Sequence, residues 1–393
     1  MAEADIIRES HALSPELHQK LTAWRQHLHA HPELSLQEKA TAGFVQDRLT
    51  ELGIPFVSGI GGHGIVATLT RGSAEGRVGL RADMDALPIT EDTGLAYASK
   101  NPGVMHACGH DGHTTSLLGA AALLARDESW TGTVHLVFQP AEEGAGGALA
   151  MLRDGLFERF PMERIFGFHN WPGLEAGTVA VHDGPVMAGG ARIEIRVKGH
   201  AGHAALPHLA RDPMLASAHL LVALQSVVSR SLDPLDCGVL SICTMEAGRA
   251  ANQIPEEAVM RGTMRALRTE VMEQLEEGIR RVAAGTATMF GMAADVVIER
   301  GVTVTRNSSP EAALAAEAAA HAGLPVRRDL PPTMGSEDFG WFSQQRPSAY
   351  VWIGNGVSGP GHELHNPGYD FNDAILPAAA SYLAGVAKRA LAE

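Results

Sequence analysis

The chain predicts an α/β fold in two domains, with the second inserted into the first. Three observations carry that prediction. At 393 residues the chain exceeds the usual single compact core. Short apolar runs alternate with helical segments over the first part of the chain and again after about residue 300. Between them, residues 192–198 (Arg-Ile-Glu-Ile-Arg-Val-Lys) alternate strictly, as a strand with one wet face does. The expected boundaries are 1–186 and 300–393 for the first domain and 187–299 for the insertion.

Residues 15–53 carry a helix-like period, with Gly53 near the stop. Apolar runs at 64–69, 78–81, 133–138 and 164–168 read as strands, and 114–126 reads as a helix between two of them. Asp83, Glu142 and His169 each follow such a run, at the carboxyl ends of strands where open α/β sheets gather ligands. In the insertion, strands at 192–198, 238–245, 258–264 and 294–299 and helices at 213–230 and 269–285 give the order βαββαβ, the ferredoxin-like arrangement. The alanine-rich stretch 311–320 reads as a helix, and 378–391 as another, with Pro377 near its first turn.

Composition narrows the function classes. A hydrophobic fraction of 45% fills a sizeable core and a charged fraction of 19% without long single-sign runs speaks against disorder. The net charge of −14 argues against a nonspecific nucleic-acid surface. The three cysteines, 108, 237 and 243, support no disulfide framework and suit a reducing compartment. The first residues lack a basic n-region and an apolar h-region, and no run reaches membrane-spanning length, so a cytoplasmic protein without membrane contact is the expectation.

Chemistry enters at His106-Ala-Cys-Gly-His-Asp-Gly-His113, where Cys108 and His110 stand two residues apart. Thiolate and imidazole suit zinc and related transition ions, although a lone Cys-x-His is more often part of a packed core. Gln139-Pro-Ala-Glu-Glu-Gly-Ala-Gly-Gly147 then places two adjacent acids after a strand. One carboxylate can bind metal while its neighbour takes a proton from an activated water and passes it to a leaving amine. The glycines carry no phosphate-loop warrant, because Gly-Lys-Ser/Thr is absent.

Together with Arg81-Ala-Asp-Met-Asp-Ala-Leu-Pro88 and Leu364-His-Asn-Pro367, these motifs make the chain resemble the hippurate hydrolase and auxin-conjugate (indole-acetyl-amino acid) hydrolase family, a branch of the metal-dependent aminoacylase and carboxypeptidase superfamily. The resemblance spans roughly residues 20–385. It implies a dinuclear-metal exopeptidase-like catalytic domain with an inserted ferredoxin-like dimerisation (lid) domain, and two divalent ions, manganese or zinc first and cobalt or nickel next. The implied ligands are Cys108, His110, Glu143, His169 and His365, with Glu142 as general base and acid. His362-Glu-Leu-His365 is one residue short of the zincin motif, so His362 stands as the weaker alternative to His365. Asp85 is the candidate for orienting a ligand imidazole, or else a turn-stabilising acid.

In the insertion, Gly199-His-Ala-Gly-His203 resembles a segment that supplies an active-site histidine, His203, across a dimer interface to stabilise an oxyanion. Asn252 and Arg265 resemble residues that hold the substrate carboxylate, and Gly335 a loop glycine that permits close backbone approach. Domain closure would assemble these parts. The implied reaction is hydrolysis of N-acyl or N-aroyl amino acids by a homodimer or higher oligomer. Narrower deacetylases or peptidases, acting on N-acetyl-diaminopimelate or p-aminobenzoyl-glutamate, are the alternative chemistry. A noncatalytic assembly protein and a Cys108 redox protein are the alternatives of other classes, the latter lacking a resolving cysteine.

Overall fold

The computed structural model describes residues 13–356 and 359–393. They form two compact units: the chain up to Val186 with Arg306–Pro331 and Trp341–Glu393, and Met187–Thr305 with Pro332–Gly340.

The first unit opens with α1 (Pro15–Ala30), whose start is fixed by the Ser14 hydroxyl accepting from the Leu17 amide at 3.2 Å. Leu17, Leu21, Trp24 and Leu28, spaced by helical turns, face the core. The expected helical stretch 15–53 is not continuous. Pro32 disfavours helical backbone at His31 and ends α1 there. The chain then crosses residues 31–38 without helix and resumes in α2 (Lys39–Glu51).

Eight strands follow: β1 (Phe56–Ile60), β2 (Gly64–Arg71), β3 (Arg77–Asp83), β4 (Gly132–Gln139), β5 (Arg164–Pro172), β6 (Val179–Ala180), β7 (Val326–Arg327) and β8 (Ser348–Gly356). They lie side by side as β1-β2-β4-β3-β5-β8-β6-β7. The four central strands are mutually parallel. Both their faces are covered, so Val78, Leu80, Val134, Leu136, Phe166, Phe168 and Val351 are all buried. Helices α3 (His110–Arg126), α4 (Ser309–His321) and α5 (Leu376–Ala392) contribute to the same core through Leu117, Leu118, Ala315, Leu383 and Val386. From β3 the chain passes through α3 to β4 on one side, then returns to β5 on the other. The carboxyl ends of β3 and β5 therefore flank a topological switch point.

The second unit carries a four-stranded antiparallel sheet ordered Gly238–Ala247, Glu257–Ala266, Gly189–Lys198, Ala293–Val302. Helices Pro213–Ser231 and Thr269–Met289 supply Leu220, Leu224, Leu275 and Ile279 against Ile193, Ile195, Val197 and Met260 on one sheet face. This is the ferredoxin-like arrangement. Its extent differs from the expected 187–299. The last strand runs to Val302, and Pro332–Gly340 groups with this unit. The added segment is tied in by the Ala188 amide donating to the Gly335 carbonyl at 2.8 Å and the Thr305 hydroxyl donating to the Glu337 carbonyl at 3.0 Å. Among the described residues no helix is long and apolar enough to cross a membrane.

Candidate metal centre

The site is built at the carboxyl ends of β3, β4 and β5. Asp83, the last residue of β3, is buried between Arg81 and His113. Its Oδ2 accepts from Arg81 Nη1 at 2.7 Å, and its Oδ1 accepts from His113 Nδ1 at 2.7 Å. Burial works to raise this carboxyl, yet His110, Arg81 and His113 outweigh it and hold Asp83 well below the usual carboxylate range. His113 is already spent: its Nε2 accepts the Asn170 backbone N–H at 2.9 Å. It supports the site and offers it no lone pair.

His110 opens α3 and is buried. Its Nδ1 donates to the Asp85 backbone carbonyl at 2.9 Å, which leaves Nε2 aimed into the site. His169 on β5 repeats the device, with Nδ1 donating to the Asn170 carbonyl at 2.7 Å and Nε2 lying 3.4 Å from Cys108 Sγ. Fixing the tautomer through the far nitrogen is how metal-ligating imidazoles are prepared. Burial, then His113, pushes His169 well below its ordinary value, so it stays neutral with its lone pair available. His110 moves the other way: burial opposes its charge, but Asp83, Asp85 and Glu143 push it up to about 10.

Glu143 and His365 complete the cluster. Glu143 Oε1 stands 3.9 Å from His110 Nε2 and 3.3 Å from His365 Nε2. Ligand atoms of Cys108, His110 and His169, of Cys108, Glu143 and His365, and of His110, Glu142 and Glu143 lie within 4.8 Å of one another in each group. His110 Nε2 and Glu143 Oε1 are buried without a hydrogen-bond partner among the described residues. Such orphaned atoms are costly unless an ion or water meets them. Burial pushes the Cys108 thiol well up, and the charges of Glu143, Glu142 and Asp83 push it further. One sulfur, three imidazole nitrogens and a carboxylate, set in an excess of negative charge, fit a divalent transition ion. His362 lies outside this cluster, its Nδ1 bonded to the Gly368 carbonyl at 2.7 Å.

Asp85 does more than face an imidazole. Its Oδ1 accepts the Glu142 amide at 3.0 Å, and its Oδ2 accepts the Glu143 amide at 2.9 Å and the Ser35 hydroxyl at 2.6 Å. It grips the turn that carries the paired acids. Glu142 is buried beside His110 and Glu143.

Sequence reasoning missed Asn170. Its Nδ2 donates to the Cys108 carbonyl at 2.7 Å, and its Oδ1 accepts the Tyr369 hydroxyl at 2.7 Å. One buried amide thus ties β5, the Cys108 segment and the stretch that follows His365. Its place between His169 and Trp171 in the sequence gave no signal beyond adjacency. Trp171, stacked on Trp352 with ring centroids 3.9 Å apart and edge-on to His169, was likewise passed over.

The remaining predicted residues lie in the second unit. His203 is exposed on a two-residue ribbon paired with Gln253 and Ile254, and the Ala204 amide donates to the Asn252 carbonyl at 3.0 Å, so His203 and Asn252 are neighbours. Arg265 is half-buried, donates from Nη1 to the Met264 carbonyl at 3.0 Å and has no carboxylate partner among the described residues. Gly335 lies in the segment that joins this unit. A Cβ there would meet Thr333 and Met187 side chains at ordinary contact distances of 3.5 and 3.6 Å, so nothing within this unit demands a glycine.

The model for "Peptidase family M20/M25/M40" matches residues 79–389. The chain is 42% identical to the hippurate hydrolase of Campylobacter jejuni, over 93% of this chain and 95% of the relative. It is 40% identical to the N-acetylcysteine deacetylase of Bacillus subtilis, over 94% and 96%. Among solved structures, the YXEP protein of Bacillus subtilis, described as a dinuclear metal binding peptidase from the M20 family, superposes with a TM-score of 0.85 at 35% identity, over 95% of this chain and 98% of that one. With most of its length matched by the family and by close relatives, this chain belongs to the M20 peptidase family.

Proposed function

We propose that the protein is a metal-dependent amidohydrolase that cleaves N-acyl or N-aroyl amino acids into a carboxylate and a free amino acid. The observation that carries this reading is the pair of buried atoms without a hydrogen bond, His110 Nε2 and Glu143 Oε1, set among Cys108, His169 and His365 beside a second carboxylate, Glu142. The names of the similar hippurate hydrolase and N-acetylcysteine deacetylase support the substrate class.

In this reading Cys108, His110, Glu143, His169 and His365 hold two divalent ions, manganese or zinc before cobalt or nickel. Such ions supply Lewis-acid polarisation of the amide carbonyl and lower the pKa of water. Glu142 takes the proton from the attacking water and delivers it to the departing amine. Asp85 fixes the direction of Glu142 and Glu143 by holding their amides. In the second unit, Arg265 and Asn252 bind the substrate α-carboxylate, for which a guanidinium offers a matching fork, and His203 stabilises the oxyanion. Gly335 stays assigned to the loop beside the substrate. The protein works in the cytoplasm as a homodimer or higher homo-oligomer, with sedimentation as the check on its assembly.

The aromatic pair Trp171–Trp352 beside His169 favours a large, flat acyl group. The deacetylase relative favours a small one. Hydrolysis of a panel varying acyl group, amino acid and stereochemistry, repeated with each divalent ion, decides between them. Full activity after complete metal removal would sink the amidohydrolase reading.

A further inference from the structure

The turn that carries the paired acids is held from two directions by carboxylates of the first unit. Asp85 takes the amides of Glu142 and Glu143, and the amide before them, that of Ala141, donates to Glu38 Oε1 at 2.7 Å. Three successive N–H groups are therefore gripped by two buried acids. Ala141 stands at φ 56°, the left-handed region that a residue with a Cβ adopts only at a cost. Its other polar group is fixed as well, since the Ala141 carbonyl accepts from the Gly147 amide at 2.9 Å.

Strain of this kind persists only where the surroundings over-determine it. Without a partner on its amide, Ala141 would relax toward ordinary backbone angles, and the peptide joining it to Glu142 would rotate. The Glu142 side chain would then leave its direction, and its amide would leave Asp85. Glu38 reaches this point from the segment just before α2, far away in sequence.

We propose that Glu38 is a positioning residue: its carboxylate holds Ala141 left-handed and thereby aims the Glu142 carboxylate at the reacting water. The inference rests on the reading of Glu142 as the general base. It adds a residue that makes no contact with substrate, and a strained alanine through which it acts.

The test uses the full-length, metal-loaded enzyme and its best substrate from the acyl panel. Glu38→Met lowers kcat about tenfold to a hundredfold, the scale on which a misplaced group costs rate, while KM and the metal stoichiometry from calorimetric titration stay near those of the parent. Glu38→Gln, which keeps an acceptor at Oε1, restores most of the kcat. Adding Ala141→Gly to Glu38→Met also recovers kcat, because glycine takes φ near 56° without strain and no longer needs the grip.

A cavity or general destabilisation would lower Tm in the Met variant but would not be rescued by a glycine at 141. Unchanged kcat in Glu38→Met, or failure of both rescues, overturns the proposal. If Glu38→Met does not fold, the double variant decides: folded and active supports the proposal, unfolded overturns it. Glu142→Gln run alongside separates the two readings. Normal turnover there removes the base assignment, whereas an inactive Glu142→Gln with a fully active Glu38→Met removes only the role of Glu38.

Discussion

Cys108 and Glu142 separate two roles that the same cluster combines. Cys108→Ala removes the single sulfur from a donor set whose other members are nitrogen and oxygen, and the expected outcome is loss of bound metal together with activity, read by elemental analysis. Glu142→Gln keeps the shape and leaves the donors in place. It retains metal and loses about 10²–10⁴-fold in kcat, the usual worth of a positioned acid–base group. Trp171→Ala tests acyl selectivity: kcat/KM falls about tenfold for a benzoyl substrate, the scale of a lost aromatic contact, and changes little for an acetyl one. An equal fall for both would show that the aromatic pair does not meet the acyl group.

Single elements carry consequences of their own. On β4, His135 is buried, with Nδ1 bonded to Thr68 Oγ1 at 3.0 Å and Nε2 to the Pro161 carbonyl at 3.1 Å. Burial, the larger cause, and the charge of Arg77 push its pKa down to about 4. The folded state therefore binds fewer protons than the unfolded one between pH 6.5 and about 4. Stability falls as pH drops through that window, by ~3 kcal/mol in total from this group. His135→Gln flattens this part of the Tm-against-pH profile, and an unaltered profile would refute the assignment. At the start of the short helix Gly147–Arg153, a Cβ on Gly147 would lie 1.6 Å from the Pro140 carbonyl oxygen. Backbone cannot yield as a side chain can. Gly147→Ala should cost roughly 2–4 kcal/mol in denaturant unfolding and displace the acid turn, lowering kcat as well.

For the whole molecule, metal and folding are linked. A centre formed from strand ends, a helix start and the stretch around His365 exists only in the folded chain, so an ion that binds it raises stability by mass action. Chelation is expected to abolish hydrolysis and lower Tm, and a divalent ion to restore both. Chelation without any change in Tm would speak against a site of this composition.

Much of this arrangement was legible beforehand, for identifiable reasons. Apolar runs of strand length located β2 to β5, because central parallel strands are buried on both faces and leave uninterrupted hydrophobic stretches. The insertion was legible because its strands have one wet face and alternate. The break after α1 was missed because the helical period continues on both sides of Pro32, although the proline itself was a signal. The second unit's extra segment was missed because its attachment is made to backbone carbonyls of that segment, which any sequence carries.

By itself the sequence determined the α/β class, the inserted ferredoxin-like unit, and which residues have metal-seeking chemistry, since periodicity and side-chain type are local properties. Only the tertiary structure decided that His110 and His169 each spend Nδ1 on a backbone carbonyl and present Nε2, that Asn170 ties three segments together, and that Glu38 and Asp85 hold one strained turn. Apart from the bond between His169 and its neighbour Asn170, those are contacts between residues tens to hundreds of positions apart. Most of their partners are backbone atoms that every residue carries, and no local pattern announces which of them will meet.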